Sequence, residues 1–142
     1  MIVITKIFNF EMAHALDGYD GACRNIHGHS YELHVTISSV KADDTCFPAP
    51  GFIIDFKELK QLVNRAVIEK FDHKLVLSRG YLSKFPALKT LENLEILEAE
   101  PSVENLLLYS KQAISEMLPP TLTLQRLKLY ETKSSYAEWL AS

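Results

Sequence analysis

Apolar side chains at Ile2, Ile4, Phe8, Phe10 and Met12 fall on alternate positions, the period of a strand with one buried face. A second alternation sets Tyr31, Leu33, Val35 and Ile37 against Glu32, His34, Thr36 and Ser38, which predicts a strand over Ser30 to Val40. The turn residues Asp17-Gly18 and Asp20-Gly21 join the two as an antiparallel pair. Lys41 to Gly51, with Asp43-Asp44 and two prolines, reads as a loop. At Asp55 the period lengthens: Asp55-x-x-Glu58 opens a helix whose inward face carries Phe56, Leu59, Leu62, Val63, Ala66 and Val67. A second helix starts at Ser102 after Pro101, turns Val103, Leu106, Leu107, Ala113, Ile114 and Met117 inward, and stops at Pro119-Pro120. Between the helices the Leu-Glu pattern of Leu91 to Glu98 gives a short edge strand through Leu94 to Ala99. Leu122 to Thr132 is the last strong strand, with a phase slip at Gln125-Arg126 that predicts a bulge. Two strands, two helices and two or more further strands make an α+β fold with both helices on one side of the sheet.

With 142 residues and no internal repeat or linker, the chain reads as one domain, 1–142, large enough to bury a core. A net charge of -3 without a run of Lys or Arg provides no footprint for nucleic acid or an anionic membrane surface. No transmembrane or signal segment is visible, so cytoplasmic residence is the expectation.

The candidate chemistry lies in the N-terminal quarter. His14 continues the apolar stripe of Phe8, Phe10 and Met12, and His27 and His29, two apart, leave one face of an extended backbone. Gly28 between them reads as a place where the chain comes close to what they bind. Three imidazoles of matching parity, with a fourth position open, describe a catalytic zinc site. Against this stands a chance HxH pair beside a satisfied core histidine. His34 has the opposite parity and reads as surface. Cys23, with three residues between it and His27, points to a ligand or nucleophile rather than to a disulfide with Cys46. Asp72-His73 closes the first helix. It is either a helix terminus that favours an imidazolium or a carboxylate-oriented histidine for proton transfer near Cys23. Glu131 shares a face with Leu127 and Leu129. It ends in water, pairs with Arg or Lys, or accepts an amidine-like pair of N–H groups from a ligand.

Taken in order, six segments resemble the signatures of the 6-pyruvoyltetrahydropterin and 6-carboxytetrahydropterin synthase family. They are Phe10-Glu11-Met12-Ala13-His14, Cys23-x-x-x-His27-Gly28-His29-Ser30-Tyr31, Gly51-Phe52-Ile53-Ile54-Asp55-Phe56, Phe71-Asp72-His73, Pro101-Ser102-Val103-Glu104-Asn105 and Tyr130-Glu131-Thr132. The resemblance implies a T-fold (tunnelling fold), a four-stranded antiparallel sheet with two helices on one face, assembling into trimers or hexamers with sites at subunit interfaces. It implies Zn2+ on His14, His27 and His29, a catalytic Cys23, and Asp72 and His73 supplied to it by a neighbouring subunit. Glu131 would anchor the pterin of a 7,8-dihydroneopterin triphosphate substrate, and Ser102, where the family more often has Thr, would donate to a pterin carbonyl. Arg24 is a candidate phosphate contact. The short Cys-x-x-x-His spacing resembles the bacterial carboxytetrahydropterin branch, which feeds the queuosine (7-deazaguanine) route. The pyruvoyl branch is the alternative within the family, and a non-catalytic zinc-containing pterin-binding module is the alternative of another class. Lys74 to Glu100 is longer than in the shorter bacterial members, which leaves the pocket rim open.

Overall fold

The computed structural model describes residues 1–40 and 45–142; the loop reading for Lys41 to Asp44 lies outside them. Strands β1 (Val3–His14) and β2 (His27–Ser39) form the expected antiparallel hairpin, with Val3 opposite Ser38 and His14 opposite His27. Helix α1 (Phe56–Val63) runs on through a π-helical stretch, Asn64–Ile68, and a last turn, Glu69–Phe71. Asp55 caps it by accepting the Lys57 N–H at 2.8 Å. β3 (Lys74–Ser78), α2 (Arg79–Lys84), β4 (Leu94–Leu97), α3 (Val103–Met117), β5 (Leu122–Thr132) and β6 (Ser135–Leu140) follow.

The sheet has six strands in the order β4-β3-β1-β2-β5-β6, where the resemblance implied four antiparallel ones; the expected edge strand through Leu94 is β4. The antiparallel core β1, β2, β5, β6 is there, and β3 and β4 extend it past β1 as parallel neighbours. β3 escapes an alternation search because it is covered on both faces. Val76 joins the main core, while Leu75 and Leu77 join a second cluster with Ala15, Tyr81 and Leu82. The two long helices do share one face: Leu59, Val63 and Val67 pack with Leu106, Leu107 and Ile114 over Phe8, Phe10, Tyr31, Leu33 and Leu127. The short α2 packs on the opposite face. Two helix residues expected inside are exposed, Phe56 (48%) and Met117 (40%). Each stands at a helix end, where the chain has helical neighbours on one side only and periodicity constrains the side chain least.

The bulge on β5 lies where the phase slip put it. Thr36 pairs with Arg126 and Ile37 with Leu124, which leaves Gln125 unmatched. On its other edge β5 slips again, since Tyr130 pairs with Tyr136 and Thr132 with Ser135, so Glu131 is the extra residue. Bulges re-aim side chains, and this one sits at a candidate site residue.

Candidate active site

Strand pairing assembles the histidines. His27 is directly opposite His14, and His29 is opposite Met12, so all three imidazoles emerge at one end of the β1–β2 ladder on the core-facing side. Their nearest nitrogens all lie within 4.8 Å of one another. Hydrogen bonds fix two tautomers. His14 Nδ1 is 2.7 Å from the Pro101 carbonyl and His27 Nδ1 is 2.7 Å from the Asn25 carbonyl. A carbonyl only accepts, so both Nδ1 atoms carry the proton and both Nε2 atoms keep a lone pair. Those two Nε2 atoms face each other at 3.0 Å; in the neutral rings both are acceptors. Among the described residues His29 Nε2, which is buried, has no hydrogen-bond partner. Burial is the largest influence on His14 and His29 and pushes both imidazoles below their ordinary pKa; the nearby Glu131 charge opposes it without cancelling it. Three imidazoles gathered at one point, two of them with Nδ1 occupied by a carbonyl so that Nε2 is left to bind, suit a divalent ion that accepts imidazole, and zinc fits this donor set.

Glu131 belongs to the same cluster, with Oε1 3.6 Å from His29 Nε2. Ser102 is the N-cap of α3. Its Oγ accepts the Asn105 N–H at 3.3 Å, which leaves its own O–H as a donor. His34 stays outside, bonded to Glu32 at 2.6 Å. Gly28 is not behind the cluster: it pairs with Ala13 and lies on the other face. A Cβ there would meet the Met12 carbonyl at an ordinary 3.6 Å.

Asp72 and His73 are brought together but turned elsewhere. Asp72 Oδ1 receives the Glu11 N–H at 3.0 Å and His73 Nδ1 at 2.9 Å, and the His73 N–H donates to the Glu11 carbonyl at 2.7 Å. His73 takes φ +60, a left-handed conformation uncommon outside glycine and asparagine. Its side chain is 78% exposed. It lines a cavity of about 370 Å3 with Glu11, Gly28, His29 and Ser30. Cys23 is half-buried in a one-turn 3-10 segment, Ala22–Arg24, and among the described residues none of the hydrogen bonds of Asp72 or His73 reaches it. Sequence reasoning missed the Pro101 carbonyl and the Glu11 backbone. Neither leaves a mark in the sequence, because every residue carries these groups.

Sheet, helices and imidazole cluster together define the class, a T-fold enzyme. Residues 3–141 match the 6-pyruvoyl tetrahydropterin synthase family. The chain belongs to that family and is a pterin synthase, a lyase. A Rickettsia bellii protein named 6-carboxy-5,6,7,8-tetrahydropterin synthase is 30% identical over 145 residues, covering 97% of this chain and 99% of its own. One of the same name from Haemophilus influenzae is 42% identical over 76 residues, 54% of this chain and 52% of its own. The 6-pyruvoyl tetrahydropterin synthase of Caenorhabditis elegans shares the fold at a TM-score of 0.70 and 20% identity, covering 99% of this chain and 96% of that one.

Proposed function

We propose that this chain converts 7,8-dihydroneopterin triphosphate and water to 6-carboxy-5,6,7,8-tetrahydropterin, releasing triphosphate and acetaldehyde, in a zinc-dependent reaction that supplies the queuosine route. The observation that carries the reading is the meeting of three imidazole nitrogens with the Glu131 carboxylate in one cluster. His14, His27 and His29 would hold the zinc. Bound there, the ion supplies a fixed positive charge that lowers the pKa of the substrate's side-chain hydroxyls and favours oxyanion character as it develops.

The remaining chemistry belongs to the protein's side chains. Glu131 accepts two N–H groups of the aminopyrimidine edge, a charge-assisted pairing that fixes the ring away from the reacting carbons. The spare Ser102 O–H donates to the pterin carbonyl. Cys23 moves protons on the side-chain carbons. Asp72 holds the proton of His73 on Nδ1, so that Nε2 is free to exchange a proton with a thiol. With His73 exposed and its in-chain bonds made to Glu11, Asp72 and Asn93, that thiol belongs to a second copy of the chain, in a homo-oligomer with composite sites.

Two results test the assignment. Glu131→Gln is expected to weaken pterin binding by about 1.5–3 kcal/mol, the range for a hydrogen bond to a charged group, at unchanged zinc content. Unaltered affinity in a calorimetric titration excludes Glu131 from the pterin contact. The full-length similarity to proteins named for the carboxy product and the short Cys-x-x-x-His spacing favour side-chain cleavage over retention. Incubation with 7,8-dihydroneopterin triphosphate should therefore release acetaldehyde, detected with coupled alcohol dehydrogenase, beside the mass of the 6-carboxy product. An intact three-carbon pyruvoyl product would reverse the branch, and no conversion at all would favour a binding module.

A further inference from the structure

The turn that carries Cys23 is held by three successive carbonyl groups, each from a different direction. The Cys23 carbonyl accepts the Leu16 N–H at 3.0 Å, two residues past the end of β1. The Asn25 carbonyl accepts His27 Nδ1–H at 2.7 Å, from a candidate metal ligand. The carbonyl between them, that of Arg24, accepts the Tyr81 hydroxyl at 3.2 Å. Tyr81 comes from α2, in the segment between β3 and β4 whose role the sequence left open. Its ring is 8% exposed, packs with Leu82 and Leu75, and lies 4.9 Å from Phe85 centre to centre. Its own N–H is held by Ser78 Oγ at 3.0 Å. The hydroxyl is thus delivered from a fixed scaffold. The same helix grips the chain just before the turn: Lys84 Nζ is 2.6 Å from Asp17 Oδ1, and a Cβ on Gly80 would come within 3.0 Å of Asp17 Oδ2. A side chain at position 80 would press against that carboxylate.

We propose that Tyr81 is a positioning residue for Cys23, its hydroxyl fixing the Ala22–Arg24 turn so that the thiol is held where protons are exchanged with the substrate. The proposal rests on the reading of Cys23 given above. A backbone tether one residue from a reacting group acts on placement: misplacement by about 1 Å costs up to about 100-fold in rate without altering the affinity of groups bound elsewhere.

Tyr81→Phe removes the donor and keeps the ring in its cluster. On the zinc-loaded enzyme, kcat is expected to fall about tenfold with KM within about twofold, since Glu131 and Ser102 are untouched. Alkylation by iodoacetamide, resolved by peptide mass mapping, should quicken about threefold or more at Cys23, which the loosened turn exposes. Exposed Cys46 serves as the internal control and should not change. An unchanged kcat or an unchanged Cys23 alkylation rate overturns the proposal, and so does a parallel change at Cys46 or a loss of zinc, which would mark a general loosening. If Cys23→Ala retains normal turnover, the catalytic reading of the thiol fails, while the alkylation ratio still decides whether Tyr81 fixes the turn.

Discussion

Turnover of 7,8-dihydroneopterin triphosphate by the Cys23→Ala variant is expected to fall by about 10²- to 10⁴-fold, the span typical for removing a positioned acid–base group. Zinc content and pterin affinity should stay at the wild-type level. The separation follows from the geometry. Among the described residues the nitrogens that converge come from His14, His27 and His29, and Glu131 reaches that cluster from β5, whereas Cys23 belongs to a separate turn, held through its backbone carbonyls by Leu16, Tyr81 and His27. Single-turnover kinetics with metal analysis of the same sample checks it. Near-normal turnover removes the thiol from the chemistry, and loss of zinc together with activity makes it a ligand.

His27→Ala is expected to empty the metal site. Wild-type protein prepared without chelator should carry about one zinc per chain, and the variant close to none after dialysis, because two imidazoles fall short of the three protein ligands that such open sites use. His27 is the informative choice because its Nδ1–H also holds the Asn25 carbonyl. The substitution therefore removes a ligand and one tether of the Cys23 turn together, and activity should fall further than metal loss in His29→Ala would bring about. Full zinc occupancy in the His27 variant would mean that the cluster is a packing arrangement rather than a metal centre.

Parity along β1 and β2 was enough to bring His14, His27 and His29 together, because antiparallel pairing converts a two-residue period into a shared face and His14 falls opposite His27. The same argument set His34 apart. Glu131 was legible as an inward residue from its alignment with Leu127 and Leu129, although the second slip that leaves it unpaired was not, since nothing in Tyr130-Glu131-Thr132 signals a bulge. The segment after His73 resisted reading for a different reason. β3 is covered on both faces, so its Leu75, Val76 and Leu77 form a continuous apolar run that carries no period. Tyr81 then looks like any other core aromatic, and its hydroxyl gains a role only from the tertiary contact with Arg24. Contacts made by backbone carbonyls, at Pro101, Asn25 and Arg24, lie beyond sequence reading altogether. They set the tautomers and the turn on which the candidate chemistry depends.

Gln125 divides β5 into two reading frames. Upstream of it, Leu122 and Leu124 face the helices; downstream, Leu127, Leu129 and Glu131 face the same side only because one unmatched residue has been inserted. With the bulge kept, deleting one residue between Arg126 and Tyr130 would carry Glu131 to the opposite face of the sheet, whereas deleting Gln125 itself would remove the unmatched residue and leave Glu131 on the face it now occupies. Substitutions along that stretch change one side chain at a time, whereas a single-codon deletion downstream of the bulge would exchange the two faces at once. The spacing between the bulge and Glu131 is therefore under tighter constraint than the side chains that fill it, and Gln125 is the place where a residue can be lost without turning Glu131 away from the imidazoles.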